Sequence, residues 1–369
     1  MSKLKHTVKE VLALADIKVG GDRRWDVHVH NDEFYRRAVS DGSLGLGESY
    51  MDGWWDVECL DEFIFRLIRA NLHEKVSKLK LLPVVKATVL NLQSKSRAFE
   101  VGQAHYDLGN DLFEQMLDAR MVYSCGYWRE AANLDEAQEA KLDLVCRKVG
   151  LRAGMRVLDI GCGWGGFAKY AAERYGVEVV GITISKQQAD FAKRLCWDLP
   201  IEIRLQDFRN LDEQFDRIIS LGMFEHVGHK NHRRYMQVAR HCLREDGLFL
   251  LQCIGDNVTT VATDPWISKY IFPNGDLASA AQITRAIEGL FIVEDLHNFG
   301  ADYDKTLMAW FANFDQGWHQ LKAQYGERFY RMWKYYLLSC AGLFRARHIQ
   351  LWQIVLSPRG QIGGYVRVC

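Results

Sequence analysis

The chain has 369 residues, of which 48% are apolar and 25% charged, proportions of an ordinary globular protein that exclude a disordered, collagen-like or disulfide-scaffolded chain. Lys plus Arg and Asp plus Glu number 47 each, so no net field draws the chain to nucleic acid, and any basic partner surface has to be local. No run approaches the roughly 18 apolar residues of a membrane-spanning helix, the first ten residues are too polar for a secretory signal, and nine Cys without a C-x-x-C pair read as reduced thiols, so the expectation is a cytoplasmic protein of about two domains.

Residues 1–95 predict a small mixed N-terminal domain. It holds an amphipathic helix near 8–15, a strand at 25–30 and a glycine-rich turn over 43–55, SLGLGESYMDGWW, where Gly42, Gly45, Gly47 and Gly53 allow positive φ and close packing under Trp54 and Trp55. Over 63–98, eight Lys and Arg stand against one acid, Glu74, while Phe63, Ile64, Leu67, Ile68 and Leu72 recur at helical spacing. Such a segment suits an anionic membrane surface, and equally a solvated helix face with a linker.

The second domain, 99–369, opens with a helix over 134–149 that stops at Gly150. Strand and helix signals then alternate: strands at 156–160, 177–182, 201–205, 216–220 and 247–254, with helices from Phe167 and Lys186, and later strands at 291–296 and 351–357 around a long helical region. This alternation predicts an α/β fold, a doubly wound Rossmann-like sheet with helices on both faces. The stretch of about 256–284 is too long for a plain connection and is a candidate lid over the strands' carboxyl ends.

VLDIGCGWGG (157–166) is a buried strand entering a glycine-rich turn. Gly161, Gly163 and Gly166 satisfy G-x-G-x-x-G, but the second strand ends in Thr183 where a dinucleotide site wants an acid for the ribose. Asp159, just before the glycines, would repel a pyrophosphate and suits a cationic cofactor, which points to S-adenosylmethionine over a dinucleotide.

On these residues the sequence resembles the cyclopropane-fatty-acyl-phospholipid synthases and their kin, the mycolic acid cyclopropane synthases. The matching segments are GSLGLGESYMDGWW, HYDLGNDLF (105–113), YSCGYW (123–128), VLDIGCGWGG, GITISKQQ (181–188), GMFEHVG (222–228), DPWISKYIFPNG, NFGADYDKTLMAW (298–310) and FRARHIQLWQ (344–353), which span nearly the whole chain. The resemblance implies a class I S-adenosylmethionine-dependent methyltransferase fold. It implies that Tyr123 and Ser124 meet the methionine end of the cofactor, that the turn at Gly161 and Gly163 approaches its backbone, that Thr183 and Gln188 bind the ribose, and that Gln206 and Asp207 neighbour the adenine. It also implies unsaturated acyl chains of membrane phospholipids as substrate, a peripheral site of action and a homodimer.

Alkylating an isolated alkene leaves a carbocation that has to be kept from water until a base removes a proton and a ring closes, which calls for a dry, aromatic cavity. Residues 303–352 hold 13 aromatics, about twice the chain's 12%; most of these, such as Trp310, Phe314 and Trp318, read as core. For the base, the resemblance implies a bicarbonate ion held by Cys125, Glu225, Tyr303 and the backbone near Ile254, with Gln252 standing where relatives commonly carry His. A Gln amide donates a hydrogen bond but does not exchange a proton near neutrality, so the departure touches proton relay more than anion binding. His226, His229 and His232 match no zinc signature, and no metal is expected. Two other outcomes stand beside ring closure: a methyl-branched product, and a non-catalytic lipid-binding protein that keeps the cofactor fold.

Overall fold

The computed structural model describes residues 2–72, 109–260 and 263–368. Short apolar runs from Arg156 onward form a sheet covered on both faces. β3 (Arg156–Ile160), β4 (Glu178–Thr183), β5 (Ile201–Leu205), β6 (Phe215–Leu221) and β7 (Leu243–Asp256) run parallel to one another. With β9 (Ile292–Asn298) and β10 (Ile349–Ser357) the order is β5-β4-β3-β6-β7-β10-β9, and β10 is antiparallel to both neighbours. The order reverses between β3 and β6, which opens a crevice at the carboxyl ends of these two strands. The strands expected from the sequence are all present, with β7 starting earlier than the expected 247.

Helix α6 (Leu134–Lys148) precedes the sheet; the Asn133 side chain caps it by accepting from Glu136 N, and Gly150 ends it at φ 59°. α7 (Gly166–Tyr175) follows the glycine-rich loop, and α8 (Lys186–Leu195) is capped by Ser185. α9 (His232–Cys242) leads into β7. The insertion after β7 carries α10 (Pro265–Tyr270), the two-residue β8 (Ala278–Ser279) paired with β7, and α11 (Ala280–Ile287), whose capping box joins Ser279 and Gln282. Two long helices, α12 (Ala301–Tyr325) and α13 (Glu327–Arg345), separate β9 from β10.

The N-terminal elements depart most from expectation. α1 is Ser2–Ala13, and the alternation at 25–30 yields only β1 (His28–Val29), paired with β2 (Trp55–Asp56). The glycine-rich run is mainly helical: α2 (Glu33–Asp41) is followed by α3 (Ser43–Met51). Gly42 and Gly53 do use positive φ, at 59° and 72°, but Gly45 and Gly47 serve close approach inside α3. A Cβ on Gly45 would lie 2.2 Å from Arg37 O, and one on Gly47 would lie 2.4 Å from the Trp266 ring. α4 (Leu60–Arg69) forms the start of the basic stretch; 73–98, with Lys75, Lys78 and Lys80, and 105–108 lie outside the described residues.

Trp55 and Phe63 share one apolar cluster with Phe113, Trp310, Trp333 and Leu337, so the unit expected over 1–95 shares its core with the unit expected over 99–369. α5 (Asn110–Met116) supplies Phe113. Gly342 on α13 lets α4 approach, since a Cβ there would meet Asp61 O at 2.6 Å, and Arg345 ties Asp61 to Asp304. Emptying the fully buried Trp55 position to Ala would cost roughly 3–5 kcal/mol.

Candidate active site

The loop after β3 lines a cleft of about 980 Å³, including the part open to solvent. Gly161 (φ 84°), Gly163 (φ 55°) and Gly165 (φ 89°) hold it in a conformation that L side chains rarely adopt, and a Cβ on Gly161 would strike Met223 at 2.7 Å. Asp159 is buried in its wall; its Oδ2 has no hydrogen-bond partner among the described residues, and burial lifts its pKa to about 7. At the end of β4, Thr183 Oγ1 accepts from Ser185 N and donates to Gln188 Oε1 at 2.9 Å, which fixes the orientation of the Gln188 amide.

Tyr123, Ser124, Asp159, Gly161, Gly163, Thr183, Gln188 and Gln206 all line this cleft. Asp207 does not. Its carboxylate turns into a 3₁₀ turn, accepting from Arg209 N at 2.9 Å and pairing with the Arg209 guanidinium, so a local backbone donor has taken the group expected at the adenine.

Beside the cleft, a 3₁₀ turn after β6 carries Glu225. Its Oε1 accepts from Ile254 N at 2.6 Å, its Oε2 has no partner among the described residues, and burial lifts its pKa to about 7. The Ile254 N–H expected to hold an anion is therefore engaged by Glu225 itself. The buried Cys125 thiol donates to Gly126 O at 3.2 Å and is pushed well above the usual thiol range by burial. Tyr303, at the start of α12, stacks on Phe344 at 4.5 Å; burial, then the charges of Cys125 and Glu225, push its phenol up. Gln252 stands apart. Fully buried, it accepts from Gln353 Nε2 at 2.9 Å across the β7–β10 pair, its own Nε2 is unpartnered, and no hydrogen bond joins it to Cys125, Glu225 or Tyr303 among the described residues.

Aromatic rings join the two halves of the site. Tyr123 packs on Trp310 at 5.1 Å, Trp310 on Tyr303 at 5.9 Å, and the Tyr123 and Tyr336 hydroxyls share a hydrogen bond of 2.9 Å. The insertion adds Phe272, which meets His226 and Tyr336, and Asp276, whose N–H donates to Glu225 O at 2.8 Å. Trp266 of α10 seats the insertion on Gly47, while Lys269 and Tyr270 bond Glu48.

The three histidines disperse. His226 faces the cleft with its pKa pushed down to about 4 by burial, His229 bonds Asp276, and His232 stacks on Phe224. No cluster of ligands fit for a metal ion occurs among the described residues.

Sequence reasoning missed Thr306 and Lys141. Thr306 Oγ1 accepts from Gly126 N and Trp128 Nε1 and so fixes the loop that carries Cys125. Lys141 is wholly buried on α6 beneath Ser124; its place among Leu134, Ala137, Gln138 and Val145 at helical spacing was the available signal.

A parallel sheet with an antiparallel β10 and a glycine-rich cleft walled by an unpartnered carboxylate defines a class I S-adenosylmethionine-dependent methyltransferase fold. A family model described as mycolic acid cyclopropane synthetase matches residues 93–354, and the chain belongs to that family. It is 53% identical over 350 residues to the cyclopropane-fatty-acyl-phospholipid synthase of Escherichia coli (strain K12), covering 94% of this chain and 92% of the relative. It is 36% identical over 268 residues to cyclopropane mycolic acid synthase 1 of Mycobacterium tuberculosis (strain H37Rv), covering 68% of this chain and 93% of that one. Among solved structures, the cyclopropane synthase MmaA2 of M. tuberculosis superposes with a TM-score of 0.67 at 33% identity, over 72% of this chain and 99% of that chain. The mycolic acid cyclopropane synthase CmaA1 complexed with SAH and CTAB gives 0.66 at 35% identity, over 70% and 97%. Among the described residues no helix is long and apolar enough to cross a membrane.

Proposed function

We propose that the chain transfers a methylene from S-adenosylmethionine across the cis double bond of unsaturated acyl chains in membrane phospholipids, giving cyclopropane fatty acids. The observation that carries this reading is a buried carboxyl, Glu225, with one oxygen fixed and one unpartnered, set beside Cys125 and Tyr303 and joined to the cofactor cleft by an aromatic layer. The identity to the E. coli synthase along nearly the whole chain supports it.

The cleft fits the cofactor, because the unpartnered Asp159 Oδ2 offers a negative group to a cationic ligand and the glycines leave room for its backbone. Bound there, S-adenosylmethionine supplies an electrophilic methyl. Gln188, oriented by Thr183, would hold the ribose, Gln206 the adenine edge, and Tyr123 with Ser124 the methionine end. The rings of Trp310, Tyr303, Phe344 and Tyr336 would exclude water and could stabilise developing positive charge. Glu225 Oε2, titrating near neutrality, can take or return a proton.

A bicarbonate ion beside Glu225 is the second part of the proposal. A protonated Oε2 donates rather than repels, and the Tyr303 hydroxyl is a further donor, while Ile254 N acts through Glu225. Bicarbonate would supply a base at this point. Phe63, Ile64 and Leu72, expected on an apolar membrane face, are buried in the core instead, so contact with lipid would come through the basic residues of the stretch beyond α4, Lys75, Lys78 and Lys80 among them, whose charge suits an anionic membrane surface.

Vesicles of unsaturated phospholipid incubated with methyl-labelled S-adenosylmethionine should take up label, and saturated vesicles should not; equal uptake would contradict the proposed chemistry. Stripping bicarbonate should slow the reaction and its return restore it, whereas an unchanged rate makes Glu225 the base unaided. Changing Lys75, Lys78 and Lys80 together to Glu should weaken vesicle binding without altering cofactor affinity; unchanged vesicle binding would remove the stretch from the membrane contact.

A further inference from the structure

Helix α6 buries two lysines. Lys148 is bonded to His297 and lies 3.5 Å from Asp295, which ties the helix to β9. Lys141 has no such partner: it is 0% exposed and forms no ion pair among the described residues, although Asp118 and Asp159 lie near enough to offset part of its burial. A buried ammonium left without a carboxylate is unfavourable, so its placement calls for a reason.

Its Nζ donates to Ser124 Oγ at 2.9 Å. An ammonium has three donors and no acceptor, so this bond runs one way, and the Ser124 hydroxyl proton has to point elsewhere. The Ser124 side chain makes no other hydrogen bond among the described residues, and the residue lines the cofactor cleft. Gln138, one turn earlier on α6, donates to Ser124 O at 2.7 Å, so the loop cannot carry the hydroxyl away. Asp159, whose Oδ2 has no hydrogen-bond partner among the described residues, lines the same cleft and offers negative charge when ionised.

We infer that Lys141 is a positioning residue for the cofactor: from beneath the cleft it turns the Ser124 hydroxyl into a donor for a ligand carboxylate, and its charge favours that carboxylate over a neutral group. This rests on the proposed binding of S-adenosylmethionine, whose amino-acid tail carries such a carboxylate. Asp159 then matches the ammonium of the same tail, and the pair orients the tail by sign as well as by shape.

Decarboxylated S-adenosylmethionine, which lacks only the carboxylate, separates this role from simple packing. In calorimetry the unmodified protein should bind S-adenosylmethionine about 10-fold or more tightly than the decarboxylated ligand. Equal affinity overturns the inference without any variant, and binding of neither ligand overturns the cofactor reading and this inference with it. Lys141→Met should weaken S-adenosylmethionine by about 10-fold or more and the decarboxylated ligand by less than about 3-fold. Lys141→Gln, which keeps a donor without the charge, should show a smaller loss with the same dependence on the carboxylate. Equal losses for the two ligands would reduce Lys141 to a packing role.

Discussion

The backbone N–H of Ile254 donates to Glu225 Oε1 at 2.6 Å, so β7 fixes one oxygen of the carboxyl and leaves Oε2 for chemistry. Glu225→Gln keeps an acceptor for Ile254 and removes the group that exchanges a proton. The rate should fall roughly 10²-fold or more, while S-adenosylmethionine affinity stays within about 2-fold. A variant at full rate would remove Glu225 from the proton path.

The same carboxyl links function to stability. In the cofactor-free protein Asp159 and Glu225 are lifted to about 7 by burial, from 3.8 and 4.5. Between those values the folded chain holds more protons than the unfolded one, so stability is greatest below the unfolded values and falls as pH rises through the folded ones. Glu225→Gln relieves one of these costs. Its melting temperature should exceed that of the unmodified protein near pH 8 by an amount worth of order 1–3 kcal/mol, and match it near pH 4. A variant less stable near pH 8 would show that the charged carboxylate is well accommodated.

Gly47→Ala tests the seat of the insertion. The new methyl would lie 2.4 Å from the Trp266 ring, so α3 or α10 has to shift, at a cost of about 1–3 kcal/mol. Activity should drop with stability, because Asp276 and Phe272 of the same insertion contact Glu225 and His226. Gly53→Ala, strained by its φ of 72° but facing open space, should lose stability with little change in rate. Equal rate losses in the two would argue against a specific role for the Gly47–Trp266 contact.

Gln188→Ala should weaken S-adenosylmethionine by about 2- to 10-fold, the worth of one ordinary hydrogen bond. Thr183→Val, which removes the hydroxyl that orients Gln188, should produce part of that loss, and the double variant less than the product of the two. Calorimetry giving multiplicative losses would mean that Thr183 and Gln188 act independently.

The sheet was legible in the sequence because each strand is a short apolar run closed by a turn, as RVLDI is by its glycines. The run over 43–55 was misread because the reason for Gly47 is Trp266, far along the chain, and local sequence does not show whether a glycine serves a turn or a close approach. The cleft residues were found through the loop and the resemblance, but Asp207 was assigned by position while its carboxylate had a backbone donor two residues away. Lys141 was overlooked since a lysine is ordinarily read as solvated, even on the apolar face of α6. Gln252 was recognised as a departure, yet its partner Gln353 is set by strand register, which only the fold reveals.

Whether a ring is built across a lipid double bond is decided most directly by the product itself. Phospholipid with a single cis-unsaturated chain, treated with the protein and S-adenosylmethionine, should gain one carbon and two hydrogens by mass spectrometry. The product should lose its olefinic proton signals and show the upfield proton signals of a cyclopropane by NMR. A product of the same mass that keeps an olefinic signal and gains a branch methyl would contradict ring closure, and lipid recovered unchanged by a cofactor-saturated protein would contradict the assigned activity.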